Sequence, residues 1–143
     1  MTQSDPPPAA AVLSRSQMRA IRRRLLERVA DADTPTHLTI AREDGDWQPF
    51  LDGVAIKVLR AHGGVLSYLL RLAPGAMLPP HRHPQDEECI VLEGRLRVGA
   101  RLEIGPGGYH LAQGGALHAS IGTGTGATIF LRGAVPDPGQ LLD

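Results

Sequence analysis

The spacing of apolar residues changes rhythm near residue 37. Before it, Ile21, Leu25 and Val29 recur at i, i+4 and i+8, with Met18 and Leu26 beside them. That period places one apolar stripe on a helix. The spacing predicts a helix over about 16–30, with Ser14 or Ser16 as N-cap. The segment "DADTPT" then breaks the pattern. From His37 onward come short runs of β-type composition: "HLTIA", "VAIKVLR", "VLSYLLRL", "ECIVL", "RLRVGARLEI", "YHLA" and "ATIFLRG". Between them lie "EDGD", "AHGG", "APGA", "GPGG" and "AQGG", which are turn sequences. Short strands with closely spaced turns predict an all-β barrel or sandwich. Residues 1–35 read as a leader, containing Pro6-Pro7-Pro8, and a basic amphipathic helix. Residues 36–135 read as the β domain and 136–143 as an extended tail.

The stretch "PPHRHPQDEECIVLEG", from Pro79 to Gly94, carries the candidate chemistry. Residues i and i+2 of a strand share a face, so His81 and His83 project together. After the corner at Pro84-Gln85-Asp86, the alternation Glu87, Cys89, Val91 sets an acid on an apolar, inward face. Glu88, Ile90 and Leu92 take the other face. Two imidazoles and a carboxylate are metal donors of borderline softness, suited to Zn, Fe, Mn, Ni or Cu. A fourth donor is expected further along the chain. His118, after "AQGGAL", is the first candidate and His110 the second.

Composition narrows the function classes. Fifteen acids balance fifteen bases, so no global charge points to nucleic acid or to a membrane surface. The first thirty residues hold six Arg against Asp5 and Glu27. This helix reads as a solvated basic face over a stripe packed on the β domain or on a second chain. It contains no aromatic residue for base stacking. Cys89 is the only cysteine, which excludes a disulfide framework and any CxxC knuckle. Neither a signal peptide nor a membrane-spanning stretch is apparent, so the cytoplasm is the expected compartment. "GTGTG" at 122–126 lacks the Lys-Ser/Thr of a phosphate loop and reads as a turn.

The motif resembles the cupin superfamily. The family's first motif, G-x5-H-x-H-x3/4-E-x6-G, is met by Gly75, His81, His83, Glu87 and Gly94. The second, G-x5-P-x-G-x2-H-x3-N, is met by Gly107, Gly115 and His118, with Gln113 in place of Pro and Gly122 in place of Asn. The resemblance covers about residues 45–133 and implies a jelly roll, a small double-stranded β-helix. It also implies one divalent metal on His81, His83, Glu87 and His118, zinc first, with iron, nickel or manganese as alternatives. Glu88 is the alternative acid, although only Glu87 also gives the six-residue spacer to Gly94.

Within the superfamily, the wording "LRLAPGAMLPPHRHPQDEECIVLEGRLRVG" is similar to the cupin-like domain of ChrR-type anti-sigma factors. That resemblance implies a module that senses a small molecule or an oxidant, with a sigma factor as one regulatory partner. The zinc site of the preceding domain in those proteins cannot form here, because its CxxC is missing. A metal-dependent enzyme, such as a dioxygenase acting on a small organic substrate, is the second class. A purely structural zinc site is the third. Cys89 reads as a small core side chain or as a redox-sensitive thiol. His110 reads as a hydrogen-bonded core histidine or as a pocket residue, with Tyr68 and Tyr109 as candidate neighbours. Few aromatics are available, which disfavours a large flat ligand. Small cupins resemble one another in pairing through sheet edges, so a homodimer is expected.

Overall fold

The computed structural model describes residues 12–137 and Gly139. Most of the expected leader and most of the last residues of the tail lie outside the described residues. The chain divides into two compact units between Thr39 and Ile40.

The first unit is helix α1 (Arg15–Asp33), followed by a short 3-10 turn at Thr34–Thr36. Ser14 is the N-cap. Its hydroxyl accepts from the Gln17 amide, and the Gln17 side chain accepts from the Ser14 amide, forming a capping box. The helix runs about three residues past the expected end. None of its residues is buried, and Met18, Leu25 and Val29 of the apolar stripe are exposed. No helix among the described residues is long and apolar enough to cross a membrane.

The second unit is all β. Its strands are β1 (Gln48–Leu51), β2 (Val54–His62), β3 (Val65–Leu72), β4 (Met77–Leu78), β5 (His81–Arg82) and β6 (Glu87–Gly94). They continue with β7 (Leu96–Val98), β8 (Leu102–Ile104), β9 (Tyr109–Ala112), β10 (Leu117–His118), β11 (Ile121–Gly122) and β12 (Ala127–Gly133). A six-stranded sheet has the order β1-β2-β3-β12-β6-β9, a four-stranded sheet the order β4-β11-β7-β8, and β5 and β10 form a two-stranded ribbon. All pairings are antiparallel. The last strand, β12, inserts between β3 and β6, as a jelly roll requires.

Period-two alternation builds the core. Leu66, Tyr68, Leu70 and Leu72 of β3, Cys89 and Val91 of β6, and Ile129 and Leu131 of β12 all point inward. Leu78, Leu96, Ile104 and Ile121 meet them from the smaller sheet. With Val54, Ala112 and Ala127 they make fifteen buried apolar residues among those described, and their removal from water is the main stabilising term.

Three expectations need correction. "HLTIA" forms no strand: His37 to Ala41 lack regular structure and pair with no strand, and Leu38 is exposed. "RLRVGARLEI" is two strands, β7 and β8, folded back at Gly99, whose φ of 58° is the left-handed region a tight hairpin needs. The β domain is not a closed barrel, because both larger sheets keep free edges.

Gly94 shows how tightly the sheets close. Its φ is 76°, and a Cβ there would stand 2.0 Å from the Gly126 carbonyl oxygen and 2.9 Å from the Ala127 Cα. Gly63, at the β2–β3 turn, has a φ of 59° with nothing within 4 Å. Gly94→Ala is expected to cost about 3 kcal/mol or more, and Gly63→Ala about 1 kcal/mol. Urea unfolding of the two variants checks this. Equal losses would contradict the close approach at Gly94.

Candidate metal centre

Backbone pairing sets the site. In the β5–β10 ribbon, His118 lies directly opposite His81. The turn before β10 is tied to the corner after β5 by two bonds. The Gly115 amide donates to the His83 carbonyl at 2.8 Å, and the Gly114 amide donates to Asp86 Oδ1 at 2.8 Å. Gly114 packs so close that a Cβ would meet the Gln85 Cα at 2.7 Å. The same corner delivers Glu87 as the first residue of β6, on the inward face with Cys89 and Val91.

The imidazoles converge. Ring centres are 4.6 Å apart for His81 and His83, 5.0 Å for His81 and His118, and 5.7 Å for His83 and His118. Imidazoles bound to one ion through nitrogens at about 2.0–2.1 Å have centres about 4.5–6 Å apart. His81 Nδ1 donates to the Pro79 carbonyl at 2.9 Å, and His118 Nδ1 donates to the Ala119 carbonyl at 2.7 Å. Each contact fixes the tautomer and leaves Nε2 as a lone-pair donor. Glu87 is 5% exposed, and its Oε2 accepts from the Tyr68 hydroxyl at 2.9 Å. Its Oε1 stands 3.4 Å from His83 Nε2, a buried atom with no hydrogen-bond partner.

Among the described residues, no group of three or more His, Cys, Asp or Glu side chains is placed so that it could hold a metal ion as it stands. The geometry gives the reason. His118 Nε2 accepts a hydrogen bond from His110 Nε2 at 3.1 Å, so the lone pair that a metal would use is already engaged. His81, His83 and Glu87 line one cavity, whereas His110 and His118 line a shallow hollow beside it.

Burial sets the protonation states. It pushes the Glu87 carboxyl up to about 7, opposed by the Tyr68 hydrogen bond. It pulls His83 down to about 4, reinforced by the neighbouring His81 and His118. His118 is lowered by burial too. The His83–Glu87 pair therefore has ion-pair spacing without the charges of an ion pair at neutral pH, because His83 is neutral there. Burial, reinforced by Glu87, pushes the Cys89 thiol up to about 12.

Cys89 sits within the apolar core, opposite His110 in the β6–β9 pairing. Glu88 faces the other way, where its Oε1 accepts from the Tyr109 hydroxyl at 3.1 Å and its Oε2 lies 3.6 Å from Arg132. The structure thus brings together His81, His83, Glu87, His118, His110 and Tyr68, and it separates Glu88 and Tyr109 from them. Sequence reasoning missed the Pro79 and Ala119 carbonyls that orient the rings, because a backbone acceptor leaves no residue-type signal. It also missed Phe50 and the stretch 134–137, which line the cavity.

A jelly roll with this histidine cluster facing its interior defines a cupin. The ChrR cupin-like domain family model matches residues 35–135, and the chain belongs to that family. No curated protein matches it by sequence. Among solved structures, KdgF from Halomonas sp. is similar with TM-score 0.59 and 20% identity, over 68% of this chain and 94% of that one. The Rhodobacter sphaeroides SigE–ChrR anti-sigma complex matches with TM-score 0.56 and 25% identity, over 66% of this chain and 51% of that one. The match thus spans about half of that protein chain. An acetylacetone dioxygenase from Acinetobacter johnsonii matches with TM-score 0.60 and 15% identity, over 75% of this chain and 82% of that one. The likenesses at 15% and 20% identity establish the fold alone.

Glu87 gives a pH test. Its folded pKa lies above the ordinary value of 4.5, so the native state keeps this proton longer than the unfolded chain does. That contribution is full below about pH 4.5 and is lost as pH rises through about 7. In metal-free protein, wild type should lose stability relative to Glu87→Gln between pH 5 and 7, by up to about 1.4 kcal/mol per pH unit. Denaturant titrations of both proteins at several pH values measure the gap. A gap independent of pH would contradict the assignment.

Proposed function

We propose that this chain is a metal-binding cupin module, with one divalent ion held by His81, His83, Glu87 and His118. The observation that carries the reading is the set of three imidazole rings 4.6–5.7 Å apart, with the orphaned His83 Nε2 beside Glu87 Oε1. A buried nitrogen lone pair without a partner is costly, and a cation relieves it. The nitrogen-oxygen donor set suits zinc first and accepts iron, nickel or manganese. When bound, the ion would supply a Lewis-acidic centre facing the cavity. The Pro79 and Ala119 carbonyls hold His81 and His118 in the metal-binding tautomer, and Tyr68 holds one Glu87 oxygen so that the other faces His83. His110 competes for His118 and acts as its neighbour in the outer hollow.

The module senses or regulates, as the family implies. Support comes from the chemistry at the cavity, where the one side-chain hydroxyl lining it among the described residues is already committed. The Tyr68 hydroxyl is committed to Glu87, and its pKa is raised by burial. Cys89 is buried and protonated, so the site rather than this thiol is the sensing element. The partner class that follows from the likeness to ChrR is a sigma factor. Free edges at β1 and β9 favour pairing of two copies. A metal-dependent dioxygenase is the second reading, favoured by the fold shared with acetylacetone dioxygenase.

Plasma mass spectrometry of untagged protein should find about one zinc per chain, and a His81→Ala/His83→Ala variant should lose it. Iron in place of zinc would move the reading to the dioxygenase. Negligible metal after reconstitution with each ion would remove the metal centre altogether.

A further inference from the structure

The cavity beside the cluster has a composition that selects its occupant. Six apolar side chains from five strands form its walls: Phe50, Leu70, Leu78, Ile121, Ile129 and Leu131. All but Phe50 are buried. Polar groups are few and already engaged. The Tyr68 hydroxyl donates to Glu87, and Arg82 Nη1 donates to the Gly115 carbonyl. Asp137, exposed at the mouth, accepts from the Gly139 amide. Among the described residues, the one buried side-chain polar atom without a partner is His83 Nε2, at the cluster end.

Room is also limited. The enclosed volume is about 40 Å³. A cavity of about 150 Å³ admits benzene, so this smaller chamber takes only a short, slender chain. A longer ligand must extend past Val135 and Pro136, which line the mouth from the segment after β12.

We infer that the cavity binds a small aliphatic molecule with one polar head at the histidine cluster and a short hydrocarbon body. The position of the head rests on the metal reading above, and the preference for the body does not. A polyhydroxylated ligand is disfavoured, because each hydroxyl would lose water against a leucine or isoleucine wall and find no partner.

The test uses metal-loaded full-length protein and unbranched alkyl hydroxamic acids of two, three and four carbons, with a hydroxylated four-carbon hydroxamate beside them. Calorimetric affinity should rise about three- to fourfold with each added methylene. The hydroxylated chain should bind at least about tenfold more weakly than its plain counterpart. Affinity flat with chain length, or equal for the hydroxylated compound, would overturn the inference. If the protein holds no ion, the metal reading fails by itself, and the ladder is run with 1-alkanols. Saturable shifts of the Ile121 and Ile129 methyl resonances, tighter for longer chains, would uphold the apolar chamber. Absence of shifts would overturn it.

Discussion

The arrangement depends on a ribbon of two residue pairs. His81 and His118 are far apart in sequence, and the β5–β10 pairing sets them directly opposite one another. Such a short ladder cannot fix its own register. The register is held by the turn between β9 and β10, whose Gly114 and Gly115 amides bond to Asp86 and to the His83 carbonyl. Gly114 has to be glycine for that contact, because the Gln85 backbone occupies the space of a side chain. The corner that spaces His83 from Glu87 thus also anchors the turn that presents His118. The second motif's departures, Gln113 and Gly122, leave these contacts intact.

Much of this was legible in the sequence. The runs at 65–72, 109–112 and 127–133 became strands with the same bounds; the first and last alternate cleanly between an inward apolar and an outward position, and 109–112 turns His110 and Ala112 inward. The two-residue strands β4, β5, β10 and β11 carry too few positions for any period to appear. β1 was hidden by Pro49, which an edge strand tolerates. At the site, the side chains that gather could be named from motif spacing. The contact between His118 and His110 could not, since it depends on which β6 residue pairs with His110 across β9.

Burial unites the cluster and the cavity. The same apolar walls that make a small chamber raise the Glu87 carboxyl and lower His83 and His118. Two neutral imidazoles and a reluctant carboxylate are poorly solvated on their own. A divalent cation reverses that cost, because it favours the deprotonated acid and uses the free lone pairs. The cluster is thus least at ease without a cation, while the chamber beside it offers an organic ligand almost nothing polar. Together these features fit the proposed site, in which an ion would recognise a polar head and the protein only size and hydrocarbon.

The central claim is that one ion sits among His81, His83, Glu87 and His118. Anomalous diffraction from a crystal of metal-loaded protein, collected at the absorption edge of the bound metal, locates that ion directly. The account predicts one peak within about 2.0–2.2 Å of one nitrogen from each of these three histidines and of a Glu87 oxygen. A peak on His110 and His118 alone, in the outer hollow, would contradict it.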